Sequence, residues 1–259
     1  MSPRKKSSPE SATARAALRQ QQAAQQKSES RVRLVTRIAW GTGLLVIAVM
    51  IGVIVWSVAN AKPPTSTAGG ALVIPAAAAD GAGIRVGQAD APVTVAVYAD
   101  FMCPYCGQFE QVNGDDLKAA IDAGKVRLEM HPMSFLDRYS SGTEYSTRAA
   151  NAFATVADHD AATALAFMKV LYANQPAEGS TGLTDAQLVD FAEQAGAPAE
   201  VTASFSERTF VPWVRQITQQ AFDSGIQSTP TVKINGVVQT ANLLVPGSLL
   251  AAIDEAANA

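Results

Sequence analysis

The chain has 259 residues, 48% apolar and 17% charged, which is the composition of a folded protein long enough for one or two domains with a sizeable core. Two cysteines are too few for a disulfide-stapled scaffold, a four-cysteine zinc site or an iron–sulfur cluster. The net charge of −3 argues against general nucleic-acid binding, but it hides an asymmetry. Residues 1–37 carry nine basic side chains against Glu10 and Glu29, a net +7, which leaves −10 for the remainder.

Residues 1–37 are rich in Ser, Ala, Gln and Arg, and read as a mostly disordered basic tail. From Ile38 to Ala59 the chain runs 22 residues without a charge, with Trp40 near one end and Trp56 near the other. As a helix this run spans roughly 33 Å, enough for a hydrocarbon core of about 30 Å. Basic residues before it and only Lys62 close after it put the N-terminus in the cytoplasm and the bulk of the chain outside. The expectation is a single-pass signal anchor in the cell membrane. Cleavage after Ala59-Asn60-Ala61 is the alternative, but the basic region and the apolar run are both long for a removable signal peptide. Residues 60–83 read as a flexible linker in which Leu72-Val73-Ile74 offers a short edge strand.

The globular domain is expected over 84–259. Val93 to Tyr98 is apolar and β-branched, bounded by Pro92 and Asp100, and reads as a buried strand. A helix follows from Cys103 to about Ala123, with Gly124 as its stop. Lys125 to Met130 alternates as a second strand. A helical insertion occupies about 140–224, with a capping box at Thr184–Gln187, a stop at Gly196, and Pro198 and Pro212 placed to open helices. Thr231–Ile234, Asn235-Gly236 and Val237-Val238 make a hairpin, and Gly247 to Ala257 a last helix. The fold class is α/β with an inserted α-helical domain.

Both cysteines fall in Cys103-Pro104-Tyr105-Cys106, between a buried strand and a helix that starts on the motif. At i and i+3 on a first helical turn they lie on one face, close enough to bridge. Cys103 at the helix N-terminus meets unpaired N–H groups and the macrodipole, which favour a thiolate, and the thiolate is the nucleophile. Pro104 suits the first turn because it has no N–H to leave unpaired. Cys103 is therefore assigned to form the mixed disulfide and Cys106 to resolve it. An inert structural disulfide would close only three residues and stabilise little. No metal is expected, since His131, His159 and the carboxylates stand at no ligand spacing.

The strand–Cys-Pro-Tyr-Cys–helix unit, followed far downstream by Ser228-Thr229-Pro230-Thr231 and Asn-Gly, resembles the thioredoxin superfamily. The helical block narrows the resemblance to its DsbA-like branch. The phrases Asp100-Phe101-Met102-Cys103, His131-Pro132-Met133-Ser134-Phe135-Leu136-Asp137 and Tyr145-Ser146-Thr147-Arg148-Ala149-Ala150-Asn151 resemble membrane-anchored actinobacterial members. The resemblance covers about residues 84–257. It implies a cis Pro230 facing the disulfide, with Thr229 and Pro230 pairing to substrate peptide. It implies no cofactor, exported cysteine-containing proteins as substrates, and a membrane oxidase of DsbB or VKOR type as redox partner.

Two positions depart from the family pattern. Tyr105 stands where oxidising members often carry His, and Val97 stands where many relatives bury an acid that handles the second cysteine's proton. His131, at the end of the second strand, is an auxiliary candidate for shuttling a proton or favouring the thiolate, against a purely structural role. Tyr98, Phe101, Met102 and Tyr105 are candidates for an apolar rim around Cys103, with Tyr98 better suited to the core. The function expected is a thiol:disulfide oxidoreductase that introduces disulfides into exported proteins. The alternatives are a reductase or isomerase, or a tethered peptide- or metal-binding module. With no added dimerisation domain, a monomer is the default.

Overall fold

The structure is a computed structural model that describes residues 71–78 and 83–258. The chain divides into two units between Thr67 and Ala68, and every described residue belongs to the second. The basic tail 1–37, the apolar run 38–59 and most of the expected linker lie outside the described residues. Among the described residues no helix is long and apolar enough to cross a membrane.

One five-stranded sheet forms in the order β1-β3-β2-β4-β5. Its centre is β2 (Val93–Ala99), flanked by β3 (Val126–Pro132), parallel to it, and β4 (Thr231–Ile234), antiparallel. Val93, Val95, Ala96, Val97 and Ala99 are all buried, as a strand covered on both faces requires. At the far edge, β5 (Val237–Val238) pairs antiparallel with β4 through the Asn235-Gly236 turn. Both turn residues have positive φ, 47° and 82°, which is why Asn-Gly suits a two-residue hairpin. The opposite edge is β1 (Ile84–Val86), antiparallel to β3. The edge strand is not Leu72–Ile74, as the sequence suggested: those three side chains are exposed and the segment is irregular. Ile84 and Val86 bury their side chains in the core, whereas Leu72, Val73 and Ile74 are 48%, 40% and 44% exposed.

Helix α1 (Pro104–Asp122) connects the parallel pair β2 and β3. Between β3 and β4 come the expected helices: a 3-10 turn at Asp137–Tyr139, α2 (Tyr145–His159), α3 (Ala161–Ala173), α4 (Asp185–Gln194), α5 (Ala199–Ala203), a 3-10 turn at Ser204–Glu207, and α6 (Val211–Asp223). Helix α7 (Ser248–Ala257) closes the chain. The capping box at Thr184 and Gln187 is present in both directions. Pro198 caps α5, and Pro212 stands in the first turn of α6.

The two-residue period of β2 and β3 sorts their side chains between the faces. Val97 and Met130 face α1, where they line a small cavity with Cys106 and Phe109. Tyr98 and His131 face the other way, where Tyr98 packs with Met133, Phe135 and Ala221 of α6. Gly182 sits directly over the fully buried ring of Tyr145. Its φ is +69°, and a Cβ there would lie 2.2 Å from the Tyr145 Cγ. Gly182→Ala should therefore lower unfolding stability by roughly 2–4 kcal/mol, combining the left-handed backbone cost with overpacking. Urea titration of the full chain checks this, and a change below about 0.5 kcal/mol would contradict it.

Candidate active site

The loop from Asp100 to Cys103 delivers the first cysteine to α1. Asp100 has no solvent exposure. Its Oδ1 accepts from the Met102 N–H at 2.8 Å and the Ser146 hydroxyl at 2.7 Å, and its Oδ2 from the Leu136 N–H at 2.9 Å. The Asp100 carbonyl accepts from the Cys103 N–H at 3.0 Å and the Tyr172 hydroxyl at 3.4 Å. Burial pushes the Asp100 carboxyl up to about 7. One side chain thus ties the loop to α2 and to the segment after β3. Phe101 and Met102 are fully buried, so the expected rim is reduced to Tyr105, which is exposed. The two residues after Asp100 must turn inward to bring Cys103 back to the helix axis.

Cys103 is the N-cap of α1, with extended backbone at φ −73° and ψ 117°, and Pro104 follows inside the first turn. An N-cap side chain ordinarily supplies an acceptor to the open N–H groups of that turn. Here the position holds sulfur. Both cysteines are free thiols, and Cys106 is buried one turn inward. The Cys103 thiol is lowered to about 6. The hydrogen bond from Cys106 contributes most, followed by the Thr229 hydroxyl and the N–H groups of Cys106 and Tyr105, all opposing burial. The Cys106 thiol is pushed well above its ordinary value by burial and by the neighbouring Cys103. The two thiols are both buried and are shifted in opposite directions, Cys103 down and Cys106 up.

Thr229 and Pro230 come to the same place across 126 residues of chain. The Thr229–Pro230 bond is cis, as the resemblance implied, and the Cys103 Sγ donates to the Thr229 carbonyl at 3.3 Å. Tyr105, Thr229, Pro230, Val238, Leu243 and Leu244 line a groove of about 350 Å³ beside the sulfur. Its mixed apolar and backbone lining suits an extended peptide.

His131 is not brought to the thiols. It lies on the sheet face opposite α1, stacked on Tyr98 with ring centroids 4.1 Å apart, and its buried Nε2 has no hydrogen-bond partner. Burial first, then Lys233, lowers it to about 4, so it is a neutral core imidazole and no proton shuttle. Its position in β3 fixes this: the sheet alternation that turns Met130 toward α1 turns His131 away.

Val97 leaves no acid beneath the cysteines, yet Glu110, one turn along α1 from Cys106, lines the small cavity that Cys106 and Val97 share. Burial pushes its carboxyl up to about 7. Gln175, after α3, donates from Nε2 to the Phe101 carbonyl at 3.0 Å and the Cys103 carbonyl at 2.9 Å. Neither residue stood out in the sequence. The i+4 spacing from Cys106 signals Glu110, while nothing local signals Gln175.

Residues 79–255 match the family model described as Thioredoxin. The chain therefore belongs to the thioredoxin family. Its structure is similar to that of the reduced disulfide bond oxidoreductase DsbG from Mycobacterium tuberculosis, with TM-score 0.60, 28% identity, and coverage of 68% of this chain and 88% of that one. Oxidised DsbA from the same organism aligns with TM-score 0.60 and 28% identity, over 68% of this chain and 93% of that one. MdbA, a thiol-disulfide oxidoreductase from Actinomyces oris, aligns with TM-score 0.59 and 25% identity, over 70% and 88%. The serine/threonine-protein kinase PknE of Mycobacterium tuberculosis is 31% identical over 119 residues, 44% of this chain. The chain spans about a fifth, 21%, of that kinase's length. The fold of this chain is the thioredoxin fold with helical insertion shared by these DsbA-type proteins.

In the reduced full-length chain, alkylation by iodoacetamide should follow a single thiolate with a midpoint near pH 6, assigned to Cys103. Cys106→Ala should move that midpoint upward, because the strongest stabilising hydrogen bond is lost. His131→Phe should leave the midpoint in place. It should also remove part of the acid destabilisation between pH 6.5 and about 4, where the unfolded imidazole takes a proton that the folded one refuses. A shifted midpoint in the His131 variant would return that residue to the site.

Proposed function

We propose that the protein is a membrane-anchored, extracytoplasmic oxidoreductase that introduces disulfides into exported proteins through Cys103 and Cys106. The observation that carries this reading is the Cys103 sulfur at the α1 N-terminus, its pKa lowered to about 6 beside the Thr229–Pro230 groove. A stabilised thiolate stabilises the reduced pair, and that makes the corresponding disulfide a better oxidant. The anchor is the apolar run from Ile38 to Ala59, with the basic tail in the cytoplasm and the domain outside.

In the proposed cycle a substrate thiolate in the groove attacks Cys103 Sγ of the oxidised pair. The Cys103–Cys106 bond breaks and a mixed disulfide forms. Cys106 leaves with the electron pair and, given its raised pKa, takes up a proton. Glu110, which lines the same small cavity and has its carboxyl raised to about 7, is the candidate acid for that proton, although its carboxyl packs over Gly114 one turn further along α1. A second substrate thiolate then attacks the substrate sulfur of the mixed disulfide. Cys103 departs readily because its thiolate is stable, and the substrate keeps the new disulfide. The reduced pair passes its two electrons to a membrane oxidase of DsbB or VKOR type. The proteins most similar in structure are named as thiol–disulfide oxidoreductases, which accords with this cycle.

The full chain in detergent should catalyse oxidative refolding of a reduced, cysteine-containing protein, and Cys103→Ser should abolish it. Undiminished activity in that variant would overturn the mechanism. The potential of the pair against glutathione should lie toward the oxidising end of the thioredoxin range, about −120 mV, and a value near about −270 mV would assign a reductase instead. Cys106→Ala should trap mixed disulfides with exported proteins, and an absence of adducts would favour a binding module. Glu110→Gln should slow the step in which Cys106 changes protonation, with the largest effect near pH 7. Washed membranes should retain the chain, and deletion of residues 38–59 should release it.

A further inference from the structure

We infer that Gln175 is a positioning residue for Cys103, acting from the helical insertion through a notch that Gly107 leaves open. The inference rests on the thiol-exchange reading above. Its geometry is that of a two-pronged clamp. The Nε2 group has two hydrogens, and they go to two carbonyls on either side of Met102: Phe101 at 3.0 Å and Cys103 at 2.9 Å. The Cys103 carbonyl is also the first acceptor of the α1 ladder, taking the Cys106 N–H at 3.0 Å and the Gly107 N–H at 3.2 Å. Fixing that carbonyl fixes the tilt of the first turn, whose N–H groups lie beside the sulfur. The donor end of the amide dipole also points into the loop, adding partial positive charge at the carbonyl of the cysteine that carries the negative charge.

The sequence makes room for this reach. A Cβ at Gly107 would lie 2.4 Å from the Gln175 Oε1 and 3.1 Å from its Cδ, so an alanine there would push the glutamine amide out of its observed position. Gly is a poor choice for the first turns of a helix on propensity alone, and the clamp supplies its reason here. Glutamate cannot replace Gln175, because both contacts are donations and a carboxylate would face two carbonyl oxygens. The neighbouring Tyr172 hydroxyl donates to the Asp100 carbonyl, so the end of α3 holds three carbonyls of the four-residue loop.

The test uses the full-length chain in detergent and two readouts that a purely structural role would not move: the pH midpoint of Cys103 alkylation, and the equilibrium constant of the cysteine pair with glutathione. Gln175→Ala and Gly107→Ala should each raise the midpoint and shift the equilibrium constant in the reducing direction by roughly two- to tenfold, the range for one lost hydrogen bond. Gln175→Glu should shift both further. Because Gly107 matters only by admitting Gln175, the double variant Gly107→Ala/Gln175→Ala should match Gln175→Ala alone. Gly107→Ala also gains helix propensity, which offsets part of the cost of the displaced hydrogen bonds, so it decides the matter if Gln175→Ala does not fold. Midpoint and equilibrium constant within twofold of the parent in folded variants, or full additivity in the double variant, would overturn the inference. Wild-type refolding activity that disappears in Cys103→Ser establishes the thiol chemistry separately, so failure of the clamp is distinguishable from failure of that reading.

Discussion

A helix that begins inside a protein has N–H groups in its first turn that favour a nearby anion, and at the start of α1 the N-cap position is held by Cys103, whose sulfur makes no capping hydrogen bond as a thiol. This one constraint organises the site. Pro104 removes one of the open N–H groups, and the N–H groups of Tyr105 and Cys106 favour the anion over the thiol. The helix end and the thiolate thus stabilise each other. Delivering the sulfur there requires the chain to reverse within four residues after β2. Asp100 achieves that by accepting Met102 N–H, Ser146 Oγ and Leu136 N–H with one buried carboxylate.

The same arrangement separates two chemically identical residues. Cys103 gains the hydrogen bonds and falls to about 6, while Cys106, one turn deeper, meets mainly burial and rises. In an exchange reaction the sulfur with the lower pKa is the better leaving group, so a mixed disulfide resolves by releasing Cys103. Tyr105, the exposed residue between them, brings no positive charge to the site. The stabilisation of the thiolate therefore comes from hydrogen bonds and backbone dipoles. That source differs from a nearby cation, which Tyr105 does not supply.

Local features of the sequence translated directly into structure. The buried β2, the α1 start at Pro104, the capping box at Thr184 and the Asn235-Gly236 hairpin each depend on neighbouring residues, and each formed where the pattern put it. The cysteine pair and Thr229-Pro230 were legible as motifs, though their 3.3 Å contact is a product of the whole sheet. The misplaced features all turn on which face a residue takes. Phe101 and Met102 follow the loop inward because Asp100 anchors it, and His131 follows the β3 alternation away from α1. Leu72–Ile74 had strand composition but lies exposed, while the three-residue β1 was too short to show a period. Gln175 was invisible because its partners are backbone carbonyls more than 70 positions away, and no side-chain pattern marks a carbonyl.

That last point bears on what the helical insertion is for. A thioredoxin sheet with α1 alone would leave the Asp100, Phe101 and Cys103 carbonyls facing outward on the side where α3 lies. Here Tyr172 and Gln175 cap all three, and Ser146 of α2 holds the Asp100 carboxylate. Two helices of the insertion therefore complete the hydrogen bonding of the redox loop. The loop and the start of α1 already satisfy part of these groups, and the insertion adds the remaining donors, so its docking strengthens the loop conformation that presents Cys103. The insertion is then part of the active site's framework, and its α3 end forms one wall of the 620 Å³ cavity that opens beside Pro104 and Gly107.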